Sequence, residues 1–135
     1  MAEARATGGA RLLVAVYALF AVAATSRAAV QIATKLDEAP LAYLLSALAA
    51  VVYVVATFAI ARRTPRSHRV ALAAVTFELV GVLTVGTLSI LDAAAFPDET
   101  VWSDYGRGYL FIPLALPIAG LWWLRRHPVR TGEMP

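Results

Sequence analysis

The sequence has no cysteine, few acidic residues and little charge of either sign. Without cysteine, the chain has no disulfide, no thiolate nucleophile and no cysteine-ligated metal. Charged residues make up 16% of the chain, whereas soluble domains carry about 25%. The chain is instead 60% hydrophobic over 135 residues, and a soluble domain of that size cannot cover so much apolar surface. This composition indicates an integral membrane protein.

Motifs for catalysis and ligand binding are also missing. There is no glycine-rich phosphate loop, no Ser-His-Asp pattern and no pair of carboxylates within one apolar run. His68 and His127 both lie in basic clusters, so the apolar runs hold no haem or metal ligand set. We therefore predict no enzymatic activity, no cofactor and no metal. The sequence pI is 9.7, but the basic residues flank apolar runs, as membrane anchors do, so we predict no nucleic-acid partner.

Four apolar runs divide the chain, and each is compatible with a membrane-spanning helix. A helix rises 1.5 Å per residue, so about 20 residues cross a hydrocarbon core of about 30 Å. The predicted spans are residues 11–33, 41–61, 70–91 and 107–124, with loops at 62–69 and 92–106. We predict an all-α polytopic membrane protein that forms a single bundle of four transmembrane helices.

The basic residues lie mainly on one side of these runs. Nine of the twelve are in the N-terminal flank, the 62–69 loop or the C-terminal flank. Because basic loops stay in the cytoplasm, we predict that both termini and the 62–69 loop face the cytoplasm, with residues 92–106 on the opposite side of the plasma membrane. The predicted basic anchors at the inner surface are Arg62, Arg63, Arg66, Arg69, Arg125 and Arg126.

The first apolar run has a second interpretation. A short basic segment, the apolar stretch 12–25 and the small residues at 21–23 are also typical of a cleaved signal peptide. Apolar character resumes after Arg27 and extends the run to a full span, which favours a retained helix. Both interpretations leave the other three runs in the same orientation, so the charge pattern does not distinguish them.

Two ionisable residues, Arg27 and Glu78, lie inside the apolar runs. Each costs about 2.5–3.5 kcal/mol at the centre of a spanning helix, so both should face protein or water. The helical face of Glu78 carries mostly small residues, which allow helices to pack closely. Tyr17 and Tyr53 lie at a similar depth, so a tyrosine hydroxyl is expected to donate to the Glu78 carboxyl.

Arg27 differs in depth from Glu78 by about 12 Å at the helical rise, which makes a direct bridge unfavourable. Its expected partners are Gln31, Thr87 and Asp92, and the alternative is that its long side chain extends to the interface. Two roles remain open for Glu78. It is either a structural acid that holds the helices in register, or a site for a proton, a cation or a ligand.

Pro113 and Pro117 stand four residues apart in the fourth run. Each lacks an N–H group and so deprives one helical carbonyl of its partner. Free carbonyls at membrane depth must face protein or water. We predict a helix kink at these prolines, and a binding site or a hinge is the alternative.

Three stretches resemble a family of small, uncharacterised integral membrane proteins of actinobacteria: ATSRAAVQIATKLDEAPLAYLLSALAAVVYVVAT, ELVGVLTVGTLS and FPDETVWSDYGRGYLFIPLALPIAGLWWL. The resemblance covers nearly the whole chain. It implies four spans and a plasma-membrane location, and it brings no activity. Small multidrug-resistance transporters also combine four spans with one embedded Glu. Theirs lies in the first span, whereas Glu78 lies in the third, so the comparison gives little support to drug export.

Three classes of function remain. The best supported is a structural or accessory subunit that assembles with a protein partner or as a homo-oligomer in the lipid bilayer. The second is a small transporter or channel subunit with Glu78 as its proton, cation or ligand site. The third, an intramembrane enzyme, has the least support because catalytic groups are missing.

Overall fold

The computed structural model describes residues 2–35, 40–92, 94, 100 and 102–127. The elements in this part are α1 (Ala2–Lys35), α2 (Pro40–Arg62), α3 (Pro65–Leu91), a 3-10 segment (Ser103–Tyr109) and α4 (Ile112–Arg126). No strand occurs among these residues. The predicted all-α fold is therefore confirmed for the described part of the chain.

Three helical stretches are long and apolar enough to cross a membrane: Gly8–Thr34, Tyr43–Arg62 and Pro65–Leu91. α4 has 15 residues, which is about 22 Å at 1.5 Å per residue. It qualifies as a span only together with the 3-10 segment, and the two are bent by 98°. The fold therefore fits a membrane-embedded protein with three spanning helices, or four if the bent pair is one span.

The start of α3 lies inside the predicted 62–69 loop. Thr64 and Ser67 form a capping box, in which the Ser67 N–H donates to Thr64 Oγ1 at 2.9 Å and the Thr64 N–H donates to Ser67 Oγ at 2.7 Å. Pro65 occupies the first turn, where a missing N–H costs nothing. These two start signals begin the helix before the apolar run does.

The core of α3 follows the small-residue face that the sequence predicts around Glu78, and α2 buries a similar face. Close packing of helices requires such faces because small side chains bring the backbones together. The buried residues of the α2 face are Ser46, Ala49, Ala50, Tyr53 and Ala56. Those of the α3 face include Ala71, Ala74, Glu78 and Val82. α2 packs against both α1 and α3, and α3 also contacts the 3-10 segment and α4.

The 3-10 segment and the residue before it pack directly on two glycines of α3. A Cβ atom at Gly81 would lie 2.6 Å from Cζ3 of Trp102, and one at Gly86 would overlap the Tyr105 ring. Because glycine has no Cβ, both aromatic rings approach the α3 backbone closely. Trp102 is only 1% exposed and belongs to the hydrophobic core.

The bend before α4 arises at Leu110 and Phe111, which have left-handed φ angles of 60° and 59°. Pro113 follows in the first turn of α4, where it interrupts no helical hydrogen bond. Pro113 is therefore a helix-start residue and not the kink that we predicted. Pro117 does lie inside α4 and has no N–H group to donate to the carbonyl of Pro113, four residues earlier. Of the two carbonyls that the prolines were expected to leave free, only that of Pro113 therefore loses its helical hydrogen bond. Both prolines are fully buried.

Candidate functional site

Glu78 lies at the centre of α3 and is completely buried, at 0% exposure. The Tyr17 hydroxyl of α1 donates to Glu78 Oε1 at 2.6 Å. We expected a tyrosine donor from this layer, and of the two candidates Tyr17 is the one that forms the bond. The hydroxyl of Tyr53 instead accepts a hydrogen bond from Trp102 Nε1 at 3.1 Å. The Tyr17–Glu78 bond therefore ties α1 to α3 across the bundle.

Aromatic rings and small residues close this layer from the sides. The ring centroids of Tyr17 and Tyr53 are 6.2 Å apart, and those of Phe20 and Tyr53 are 5.6 Å apart. On α4, a Cβ atom at Gly120 would lie 3.2 Å from Tyr17 Oη. All four helices therefore contribute to the surroundings of Glu78, and Gly120 is the residue that lets α4 approach Tyr17.

The second carboxyl oxygen, Glu78 Oε2, is buried and has no hydrogen-bond partner among the described residues. A buried acceptor without a partner typically costs about 1–3 kcal/mol. This oxygen is the feature of the site that is available to a proton, a cation or a small polar ligand. Four grooves follow the α1–α2 and α2–α3 seams at the bundle surface, and neither Glu78 nor Tyr17 lines any of these four.

Arg27 is half-buried, and its Nη1 donates to the Tyr109 hydroxyl at 2.9 Å. Tyr109 lies in the 3-10 segment, whose fold against α3 the sequence does not reveal. The prediction that Gln31 is a partner is wrong, because the buried Gln31 Oε1 accepts no hydrogen bond from a described residue. Thr87 bonds to the Leu83 carbonyl and to the Tyr105 hydroxyl, each at 2.8 Å.

The predicted basic anchors come together at one end of the bundle. Arg62 ends α2 and Arg63 follows it, and Arg66 and Arg69 lie in the first turns of α3. The Arg63 guanidinium lies 5.0 Å from the ring centroid of Trp123 in α4, which is a cation–π distance. The same arrangement recurs within α4, where Arg126 lies 5.1 Å from the Trp122 ring centroid and follows Arg125. This end is strongly positive.

Several residues of these sites carry little signal in the sequence. Trp102 lies in the predicted 92–106 loop and Tyr109 lies near the start of the predicted fourth span, so both look like interfacial aromatics. Gly81 and Gly120 look like general helix-packing residues. Only the three-dimensional arrangement shows that Trp102 donates a hydrogen bond to Tyr53 and that Tyr109 accepts one from Arg27.

Within the described part of the chain, no group of three or more His, Asp or Glu side chains is arranged to hold a metal ion. No protein-family model, no curated protein and no solved structure matches the chain. The resemblance to a family of actinobacterial membrane proteins therefore stays a prediction.

Proposed function

We propose that this protein is an accessory subunit that helps to assemble a complex in the plasma membrane, with four spans and both termini in the cytoplasm. The observation that carries the proposal is the closed layer around Glu78. The carboxyl is fully buried and bonded to Tyr17 of α1, and Tyr17 in turn packs against Tyr53 of α2 and Gly120 of α4. A carboxyl in this position holds α1 against α3, and it leaves the outer faces of the helices as the surface for assembly.

The outer face of α1 and α2 supports an assembly role. A groove of about 370 Å³ lies between these helices. Its walls carry small and hydroxyl-bearing residues, which let a neighbouring helix approach and bond across the contact. They are Ala18, Ala21, Thr25 and Ser26 of α1, and they lie beside the larger Val22, Val54 and Phe58. Thr57 of α2 also lines the groove, but its hydroxyl donates to the Tyr53 carbonyl at 2.6 Å. We infer that a transmembrane helix of a partner protein packs into this groove.

Thr25 and Ser26 make this groove more suitable for protein than for lipid. Both side chains are exposed, and both lie within the apolar stretch Gly8–Thr34. Lipid tails offer no hydrogen-bond partner to a hydroxyl group, whereas a partner helix does. A second protein at this face therefore completes the polar contacts of α1.

We expect Thr25→Leu to reduce the amount of partner that co-purifies in mild detergent by about tenfold, which corresponds to about 1.4 kcal/mol. Leu fills the groove and removes a hydroxyl, but it remains compatible with lipid. Quantitative mass spectrometry of the affinity-purified complex measures the effect. Thr84→Leu is the matched control, because Thr84 is also exposed but lies on α3. Equal recovery with both variants, or a wild-type protein that purifies as a free monomer, would contradict the proposal.

The proposed orientation has its own test. A cysteine introduced at Ala94, which is exposed, is expected to react with a membrane-impermeant thiol reagent in intact cells. A cysteine at Thr131 is expected to react only after lysis, because nine of the twelve basic residues favour a cytoplasmic location for the termini and the 62–69 loop. Since the chain has no natural cysteine, each signal belongs to one position. Labelling at Thr131 in intact cells would reject this orientation.

A second candidate function is a small transporter or channel subunit that uses Glu78 as its proton or cation site. One observation favours it: the buried Glu78 Oε2 has no partner among the described residues. Glu78 has 0% exposure and lines none of the four surface grooves described above, so this role requires a change in helix packing that opens a path to Glu78. The two candidates differ in what they predict for Glu78→Gln.

A further inference from the structure

A second groove, between α2 and α3, joins an apolar wall to a pair of arginines. Its volume is about 360 Å³. The apolar part is formed by Val54, Val55 and Phe58 of α2, and the end near the basic pole of the bundle is lined by Arg62 and Arg66. Both arginine side chains are exposed. One continuous groove therefore offers hydrocarbon contacts along its length and cationic donors at its end.

The arginines are the groups at this end that remain for a ligand. The hydroxyls of Thr64 and Ser67, which also line the groove, are used by the capping box. Thr64 Oγ1 accepts from the Ser67 N–H, and Ser67 Oγ both accepts from the Thr64 N–H and donates to the Thr64 carbonyl at 3.0 Å. The guanidinium groups are permanently charged and present forked donors, which match the oxygens of a phosphate.

The positive charge of Arg62 and Arg66 is not balanced by acidic residues nearby in the sequence. No Asp or Glu occurs in the sequence between residues 40 and 77, a range that includes all of α2 and the first half of α3. The N-terminus of α3 adds the positive end of its helix dipole next to Arg66. An anion at this position therefore meets attraction from the side chains and from the backbone.

The three grooves along the α1–α2 seam do not combine two free arginines with an apolar wall as the α2–α3 groove does. Two grooves farther along the α1–α2 seam have no charged residue in their lining. A third, at the basic end, is lined by Arg11 and Arg63, but Arg63 lies over the Trp123 ring. Only in the α2–α3 groove, among these four, do two exposed arginines without an aromatic partner meet an apolar wall.

We propose that the α2–α3 groove binds one anionic phospholipid, with an acyl chain against Val55 and Phe58 and the phosphate between Arg62 and Arg66. A lipid satisfies both halves of the groove at once, whereas a free phosphate leaves the apolar wall uncovered. The proposal does not rest on the assembly role, because Arg62 and Arg66 line the α2–α3 groove and not the α1–α2 groove of about 370 Å³, although Val54 and Phe58 line both. It also holds for either orientation of the protein in the membrane.

Native mass spectrometry of the purified full-length protein tests this site. Detergent-solubilised protein is titrated with phosphatidylglycerol or with phosphatidylcholine of the same acyl chains, and the bound lipids per protein are counted. We expect one phosphatidylglycerol to bind about tenfold more tightly than phosphatidylcholine, and the double variant Arg62→Gln/Arg66→Gln to lose that preference. The matched control is Arg69→Gln/Arg125→Gln, which removes the same charge from exposed positions outside the groove.

Three results would overturn the proposal. The first is phosphatidylglycerol binding that survives in Arg62→Gln/Arg66→Gln. The second is an equal loss in both double variants, which would show general attraction to the basic end. The third is binding of soluble glycerol phosphate as tightly as phosphatidylglycerol, since the apolar wall would then contribute nothing.

Discussion

Replacing Glu78 with Leu is expected to lower the free energy of unfolding by about 1–3 kcal/mol, whereas Glu78→Gln is expected to change it little. Leu removes the acceptor of the Tyr17 hydroxyl and leaves that hydroxyl buried without its partner. Gln has nearly the same shape as Glu and keeps an oxygen in the position of the acceptor. Unfolding of the purified variants in one detergent, followed by circular dichroism, measures the difference.

A double-mutant cycle gives the matched control for this prediction. Tyr17→Phe removes the donor, and the combination Tyr17→Phe/Glu78→Leu removes both members of the pair. When both partners become apolar, no buried polar group is left unpaired, so the double variant should be more stable than the sum of the single effects predicts. Purely additive effects would show that the Tyr17–Glu78 bond does not stabilise the fold.

Gly81→Ala is expected to destabilise the protein by about 1–3 kcal/mol through overpacking. The added Cβ atom would lie 2.6 Å from Cζ3 of Trp102. The ring has little room to move, because Trp102 is 1% exposed and its indole N–H is bonded to Tyr53. This cost outweighs the intrinsic preference of a helix for Ala over Gly, which is about 1 kcal/mol.

Gly8→Ala is the control for Gly81→Ala. No atom lies within 4 Å of a Cβ placed at Gly8, so only the helix preference acts there and a small stabilisation is expected. Thermal unfolding of both variants under the same conditions provides the comparison. If Gly81→Ala were as stable as Gly8→Ala, the result would contradict the close packing of the Trp102 ring against Gly81.

The helices and the core face around Glu78 were predictable because they depend on local patterns. Long apolar runs define α1, α2 and α3, and a single carboxyl among small residues marks the buried face of α3. Depth along each helix limited the donor to Tyr17 or Tyr53. The choice of Tyr17 depends on the relative rotation of the helices, which no periodicity within one helix specifies.

The region after α3 was not predictable for a different reason. The bend before α4 relies on left-handed backbone at Leu110 and Phe111, and non-glycine residues rarely adopt that conformation. Trp102 and Tyr109 look like interfacial aromatics in the sequence. Trp102 is nevertheless buried and bonds to Tyr53, and the partly buried Tyr109 bonds to Arg27. Tertiary contacts, rather than local preference, determine both features.

We propose that Glu78 supports the fold and assembly of the protein and does not carry protons or cations. Proton flux into pyranine-loaded membrane vesicles, driven by an imposed pH gradient, tests it most directly when vesicles contain equal amounts of folded wild-type protein or Glu78→Gln. An assembly role predicts the same flux for both proteins, at the level of vesicles that lack the protein. A flux that the wild type supports and that Glu78→Gln abolishes, while folding and partner recovery remain normal, would contradict the claim and make Glu78 a transport site.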